Sequence, residues 1–343
     1  MSREHQPATA DMRSGRYRNG VTTEIAQQSI GTRPDRITLT AFAALILMIG
    51  INANAVKATV AELAPMWSAG VRFAAAGLIL SGVLLLRRQP LPQGRALAGT
   101  LLFGGLSFAG FFAFAYWGIQ RLPVAVAAVV FASVPLVTFV AAVVHRLEPF
   151  RWLTLAGGLL AVAGIAVMAG GLGSESVSVL GLLAMVAAGV CAAEAAVIAK
   201  QFPPVPPLVM NAVGMTIGAA ILLGLSFASG EAHTVPREAA TWFGLGYLVL
   251  IGSIATFITY LFVLRRWTAS ATSYEFVLAP VVAVVFAVLF QGERVTSSLV
   301  AGGALVLVGV YVGALLHIGK RQAKAAEPRP EVAGVPADCI RCP

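Results

Sequence analysis

Long apolar runs separated by short polar stretches dominate this chain. Ten runs are long enough to cross a bilayer, at 37–56, 67–86, 96–117, 123–144, 152–170, 179–199, 205–228, 241–263, 269–290 and 297–317. A crossing helix needs about 20 mostly apolar residues. These runs are apolar all round rather than along one stripe of period 3.6, which predicts lipid-embedded helices rather than the surface helices of a soluble domain. The connections are short, so the pattern predicts an all-α polytopic bundle with no inserted soluble domain. Polar tails flank it at 1–36 and 318–343, and the Pro-rich stretch 326–343 reads as disordered.

Composition sharpens this picture. Of 343 residues, 58% are hydrophobic and only 11% charged, with mean hydropathy +0.84. A soluble domain is about half apolar and about a quarter charged. Three cysteines do not make a disulfide-stapled secreted domain. The net charge of +9 comes from basic residues standing singly or in pairs beside apolar runs. That is the placement of membrane anchors and not of a nucleic-acid surface. With the N-terminus inside, the inner connections hold Arg87, Arg88, Arg95, Arg146, Arg151, Lys200, Arg265 and Arg266, and the outer ones hold Lys57, Arg121, Arg237 and Arg294. The excess predicts both termini in the cytoplasm. The polar start has no apolar h-region, so the first helix is expected to act as an uncleaved anchor.

The chain also resembles itself. A constant offset of 145 positions pairs Pro135 with Pro280, Glu148 with Glu293, Gly157-Gly158 with Gly302-Gly303, and Gly164 with Gly309. Lys57 and Lys200 pair at an offset of 143. The repeats, 37–171 and 178–317, then hold five helices each. An odd number inverts the second copy in the membrane, an architecture of secondary transporters with a solute site near the midplane. Pro135 and Pro280 each deprive a carbonyl four residues earlier, at Phe131 and Phe276, of its N–H partner. The matched pair is expected to act as a hinge. Small residues in helices 5 and 10 (Gly157, Ala161 and Gly164; Ala301, Gly302 and Gly309) point to close helix packing.

Ten helices in two halves, each carrying a proline, about twelve residues, a glutamate and then Gly-Gly, resemble the drug/metabolite transporter superfamily, and within it the EamA-type permeases. Further matching pieces are Asn52 and Asn54 before Lys57, Arg72 early in helix 2, Pro123-Val-Ala-Val-Ala-Ala, and Gly292-Glu293-Arg294. The first half departs from the last of these with Leu147-Glu148-Pro149. The resemblance covers roughly residues 37–317. It implies a carrier for small metabolites such as amino acids or related compounds, an exporter in the bacterial inner membrane.

Ionisable groups are expensive in lipid, so each is a candidate for function. No Asp lies in the apolar region. Its acids are Glu194 in helix 6 and Glu275 in helix 9, either of which is a candidate proton carrier if burial favours its neutral form. Arg72 either attracts a carboxylate or phosphate or satisfies backbone carbonyls as a structural group. Asn54, Asn211, the helix 8 stripe of Ser253, Thr256 and Tyr260, and Ser273 in helix 9 offer uncharged donors and acceptors along a pathway. Each hydroxyl also has a structural reading, bonding back to its own helix. Helix 3 is rich in aromatic residues: some are expected to line a cavity, with Tyr116 a pathway candidate and Trp117 an interfacial anchor.

No Walker A sequence is present, so ATP is not the driving force. The four histidines, His5, His145, His233 and His317, lie in tails or at helix ends, and no His-x-x-x-His or Gly-x-Ser-x-Gly pattern occurs. Cys339 and Cys342 form a lone C-x-x-C, an incomplete zinc site. The expectation is therefore a secondary carrier without metal or cofactor. Its partners are a small solute, the bilayer and a proton as coupling ion. The alternative is a membrane protein that does not transport; an embedded enzyme lacks its constellation.

Overall fold

The computed structural model describes residues 36–122, 124–168, 178–282 and 297–315, and every regular element among them is helical. In chain order these are α1 (Arg36–Val60), α2 (Pro65–Leu86), α3 (Gly94–Ile119), α4 (Val124–Ala132, then Val134–Val144) and α5 (Trp152–Met168). There follow α6 (Val179–Gln201), α7 (Pro207–Ala228), α8 (Ala239–Arg266), α9 (Ala269–Thr272, continuing over 275–282) and α10 (Ser297–Val310). Six of these contain stretches long and apolar enough to cross a membrane, namely α2, α3, most of α4, α6, α7 and α8. Shorter apolar stretches lie in α1, α5 and α10. The expected all-helical polytopic class is borne out. Glu293, the tails and their cysteines lie outside the described residues, as do the side chains of Asn54 and Lys57.

Local chemistry sets the helix ends. Pro65 and Pro207 open α2 and α7, where a missing N–H costs nothing. Ser178 accepts the Gly181 N–H and Thr268 that of Ala271, so α6 and α9 begin on side-chain caps. At the ends of α2, α4 and α7 the chain reverses through left-handed residues Arg88, Arg146 and Gly230. In each case the next N–H bonds back to a carbonyl in the last turn, at Leu84, Ala142 and Ser226.

Packing is dense where glycine faces glycine. In the α5–α10 seam an added Cβ on Gly309 would stand 2.6 Å from the Ala161 nitrogen, and one on Gly164 2.7 Å from the Val306 nitrogen. The expected small-residue packing is therefore real. Ala301 is the exception: it is exposed on α10 and lies outside the seam. α2 and α7 meet similarly, with Gly70 against Leu223 and Gly77 against Thr216. Side chains from α2, α3, α6, α7 and α8 form the larger core, including Phe73, Phe103, Phe108, Met215 and Leu222. A second core joins α1, α4, α5, α8, α9 and α10 through Leu45, Ala132, Ala161, Trp267, Tyr274 and Val306. Leu78, Leu86, Val144, Leu180 and Phe243 point outward, as lipid-facing side chains do.

Two carboxylates cross-link the halves where α1 ends. Glu231 accepts the free N–H groups of Met66 and Trp67 at the start of α2, at 3.2 and 2.9 Å, and the Ser226 hydroxyl at 2.7 Å. Glu62 reciprocates, accepting the Arg237 and Glu238 N–H groups ahead of α8. The Trp67 indole donates to the Thr234 carbonyl at 2.9 Å, and its ring meets His233 edge-on. Each half thus caps a helix of the other, an arrangement favoured by the positive end of the helix dipole. At the opposite end Glu148 plays a similar part, accepting the Ser270 N–H at 3.0 Å and its hydroxyl at 2.5 Å.

Candidate functional site

Three interruptions in the helices shape the centre of the bundle. α3 and α8 each widen into a six-residue π turn, Gly105–Gly110 and Leu250–Ala255. These turns stand 145 positions apart, the same offset that relates the two prolines. The third is in α9, where residues 273 and 274 break the helix just before Glu275. Widened and broken turns push side chains out of register and are frequent at functional sites.

They surround a cavity of about 430 Å³. Its wall takes Ile49 and Asn52 from α1, Arg72 from α2, Ser107, Phe111 and Phe112 from α3, and Phe131 from α4. α8 contributes Gly252, Thr256 and Tyr260, and α9 contributes Glu275, Phe276 and Pro280. Both halves of the chain contribute.

Arg72 is 1% exposed, and its Nε and Nη1 atoms have no hydrogen-bond partner. Its guanidinium lies 4.4 Å from the Phe73 ring centre and 4.8 Å from that of Phe112. A desolvated cation–π contact is worth about 2 kcal/mol, whereas stripping water from an ion costs several. The rings therefore hold the guanidinium without satisfying it. Glu275 is 6% exposed and its Oε2 atom has no partner. The Tyr260 phenol lies within electrostatic reach of it. Asn52 presents an unpartnered Oδ1 and packs against Gly252, where an added Cβ would collide with that oxygen.

The remaining wall is aromatic. Phe131 and Phe276 stack with ring centres 6.2 Å apart and planes at 25°. Phe111 closes the group at 5.9 and 5.7 Å from them. Phe131 and Phe276 also differ by 145 positions and each precedes its proline by four, so the repeat brings equivalent rings face to face across the halves.

Of the residues expected to form a pathway, the cavity gathers Arg72, Thr256, Tyr260, Glu275 and Pro280. The Thr256 hydroxyl also donates to the Ile251 carbonyl at 2.7 Å, across the π turn. Tyr116 stands behind the wall, 5.9 Å from Phe112 between ring centres. Asn211 and Ser253 are fully buried, without hydrogen-bond partners, outside the cavity lining. Ser273 donates to the Ser270 carbonyl within the broken start of α9. Pro135 is buried in α4 away from the lining. Glu194 faces His145 at 3.2 Å near the end of α4, where Gln201 also reaches the imidazole at 3.0 Å. Asn52, Ser107 and the rings of Phe131 and Phe276 were not singled out as site side chains by residue type. The repeat offset was the signal for the two phenylalanines. Among the described residues no cluster of three metal-ligating side chains occurs.

Comparison with known proteins now bears on this geometry. The chain matches the EamA-like transporter family twice, over residues 36–170 and 179–314. An uncharacterized inner membrane transporter of Escherichia coli strain K12, YedA, is 32% identical over 283 residues, covering 81% of this chain and 89% of that one. A probable terminal-alkyne amino-acid exporter of Streptantibioticus cattleyicolor is 27% identical over 253 residues, covering 71% and 81%. A crystal structure at 24% identity superposes with a TM-score of 0.70, covering 81% of this chain and 98% of its own; at that identity the likeness is one of fold.

Proposed function

Because the chain belongs to the EamA-like transporter family, we propose that it is a secondary active carrier, an exporter of small metabolites such as amino acids or related compounds. The observation that carries this reading is the cavity of about 430 Å³ shared by both halves, with Arg72 and Glu275 buried in its wall and unpaired. Buried charge without a partner is a stability cost, and a carrier recovers it each time solute binds.

On this reading ten crossings form two inverted five-helix repeats with both termini in the cytoplasm of a bacterial inner membrane. Alternating access exchanges the conformations of the two halves about α4 and α9, with Pro135, Pro280 and the break before Glu275 as bending points. The excess of Arg and Lys on one side supports the orientation. The relatives named for inner-membrane transport and amino-acid export support location and direction. Glu275 is the proposed proton site, because it faces the cavity, whereas Glu194 is engaged by His145.

Counterflow in proteoliposomes tests the proposal. Vesicles preloaded with pooled amino acids and small metabolites are followed by mass spectrometry, with and without a pH gradient. Selective exchange of one chemical class is expected, with a pH dependence that Glu275→Gln abolishes. No exchange by folded protein would overturn the carrier reading.

A further inference from the structure

The cavity wall is chemically divided. On the α2 side stands the Arg72 guanidinium, with two of its nitrogens free; on the α9 side stands the Glu275 carboxyl, with one oxygen free. The only ion pair within 4 Å printed among the described residues joins His145 and Glu194, so the two cavity charges do not neutralise each other. Between them lie the rings of Phe111, Phe131 and Phe276, which offer apolar contact and no hydrogen bond.

This division discriminates between kinds of solute. A neutral solute leaves both buried charges bare. An anion satisfies Arg72 and strands Glu275; a cation does the reverse. One molecule carrying both charges, separated by an apolar body, satisfies all three parts of the wall. The volume, about 430 Å³, lies toward the small end of ligand pockets, which run from about 300 to 1,000 Å³. Resting on the carrier reading, we propose that the solute is a small zwitterion with an apolar body. Its carboxylate sits on Arg72, its ammonium on ionised Glu275 beside Tyr260, and its body against the three phenylalanines.

The test is titration calorimetry on the full chain in detergent with three probes that share one body. L-phenylalanine carries both charges, hydrocinnamate only the anion, and phenethylamine only the cation. Phenylalanine is expected to bind about tenfold to a hundredfold tighter than either, the worth of one charged hydrogen bond. Arg72→Gln should erase the advantage over phenethylamine and keep that over hydrocinnamate. Glu275→Gln should do the opposite. A merely misfolded variant would lose both preferences together. If Arg72→Gln does not fold, the native protein and Glu275→Gln suffice. Equal binding of phenylalanine and either singly charged probe by the native protein would overturn the assignment. So would a loss of the same preference in both variants. Binding of none of the probes, with counterflow of another solute intact, would overturn the zwitterion while sparing the carrier; loss of all counterflow would overturn the carrier itself.

Discussion

Gly252 shows how tightly single residues are constrained around the cavity. Its missing Cβ is the space into which the Asn52 amide fits. Gly252→Ala should therefore push Asn52 or α8 aside, at a cost of about 1–3 kcal/mol of overpacking. Solute exchange is expected to fall by at least about tenfold while the protein still elutes as a folded monodisperse species; exchange at the native rate would show that this contact is dispensable. Arg72 and Glu275 were legible in the sequence because an ionisable group in an apolar span has a cost that only function or pairing explains. Glu194 looked the same by that rule. What separates them is position: Glu194 meets His145 near a helix end, and Glu275 follows a break that turns it into the cavity. Asn52 was legible as polar but not as a cavity residue, because its role depends on which helix stands opposite.

At the scale of elements, the seams and caps make separate predictions. Gly309→Leu should wedge α10 off α5, since even a Cβ there stands 2.6 Å from the Ala161 nitrogen. The melting temperature in detergent should drop, reflecting a loss of about 1–3 kcal/mol or more. At the α1–α2 end, Glu231→Gln removes the charge that holds the Met66 and Trp67 N–H groups and should cost about 0.5–2 kcal/mol, as a lost cap does. Glu62 supplies a pH signature. The Thr241 hydroxyl bonded to it, outweighing partial desolvation and helped by the Arg237 and Glu238 N–H groups, holds its carboxyl below the ordinary value. A depressed carboxyl contributes stability above its unfolded pKa of about 4.3, and that contribution is lost as pH falls through the lower folded value. The melting difference between native protein and Glu62→Gln should thus be full at pH 7 and vanish near pH 3. A difference that persists there would assign the effect to shape rather than charge. The small-residue seam was visible in the sequence. The reciprocal caps were not, since their partners lie 164 to 176 positions apart.

For the whole molecule, the decisive feature is the repeat. One offset of 145 relates the prolines, the stacked rings of Phe131 and Phe276, and the π turns of α3 and α8. Two halves with equivalent parts can hold equivalent states of similar energy, which alternating access requires. The ends of the molecule are nevertheless tied differently. Glu62 and Glu231 join the halves at one end, and Glu148 joins α4 to α9 at the other. Glu148→Ala should release the start of α9 and bias the carrier toward opening at that end. A single cysteine placed at Ala279, in the cavity wall, should then react severalfold faster with a membrane-impermeant thiol reagent added on the cytoplasmic side. An unchanged rate would mean that the Glu148 contact does not restrain access.

Hydropathy by itself determined that this chain is a helical membrane protein, because a bilayer accepts few other solutions for backbone hydrogen bonding. Internal repetition pointed to two related halves, and the scarcity of intramembrane charge narrowed the candidates to a few residues. Tertiary structure decided which of them share one space. Sequence periodicity reports which residues lie on a common face of one helix, but a cavity is a relation between helices. The widened turns at Gly105–Gly110 and Leu250–Ala255 and the break before Glu275 rotate faces away from their regular register. Only the packing of α1, α2, α3, α4, α8 and α9 leaves Arg72 and Glu275 in the same cavity without pairing them.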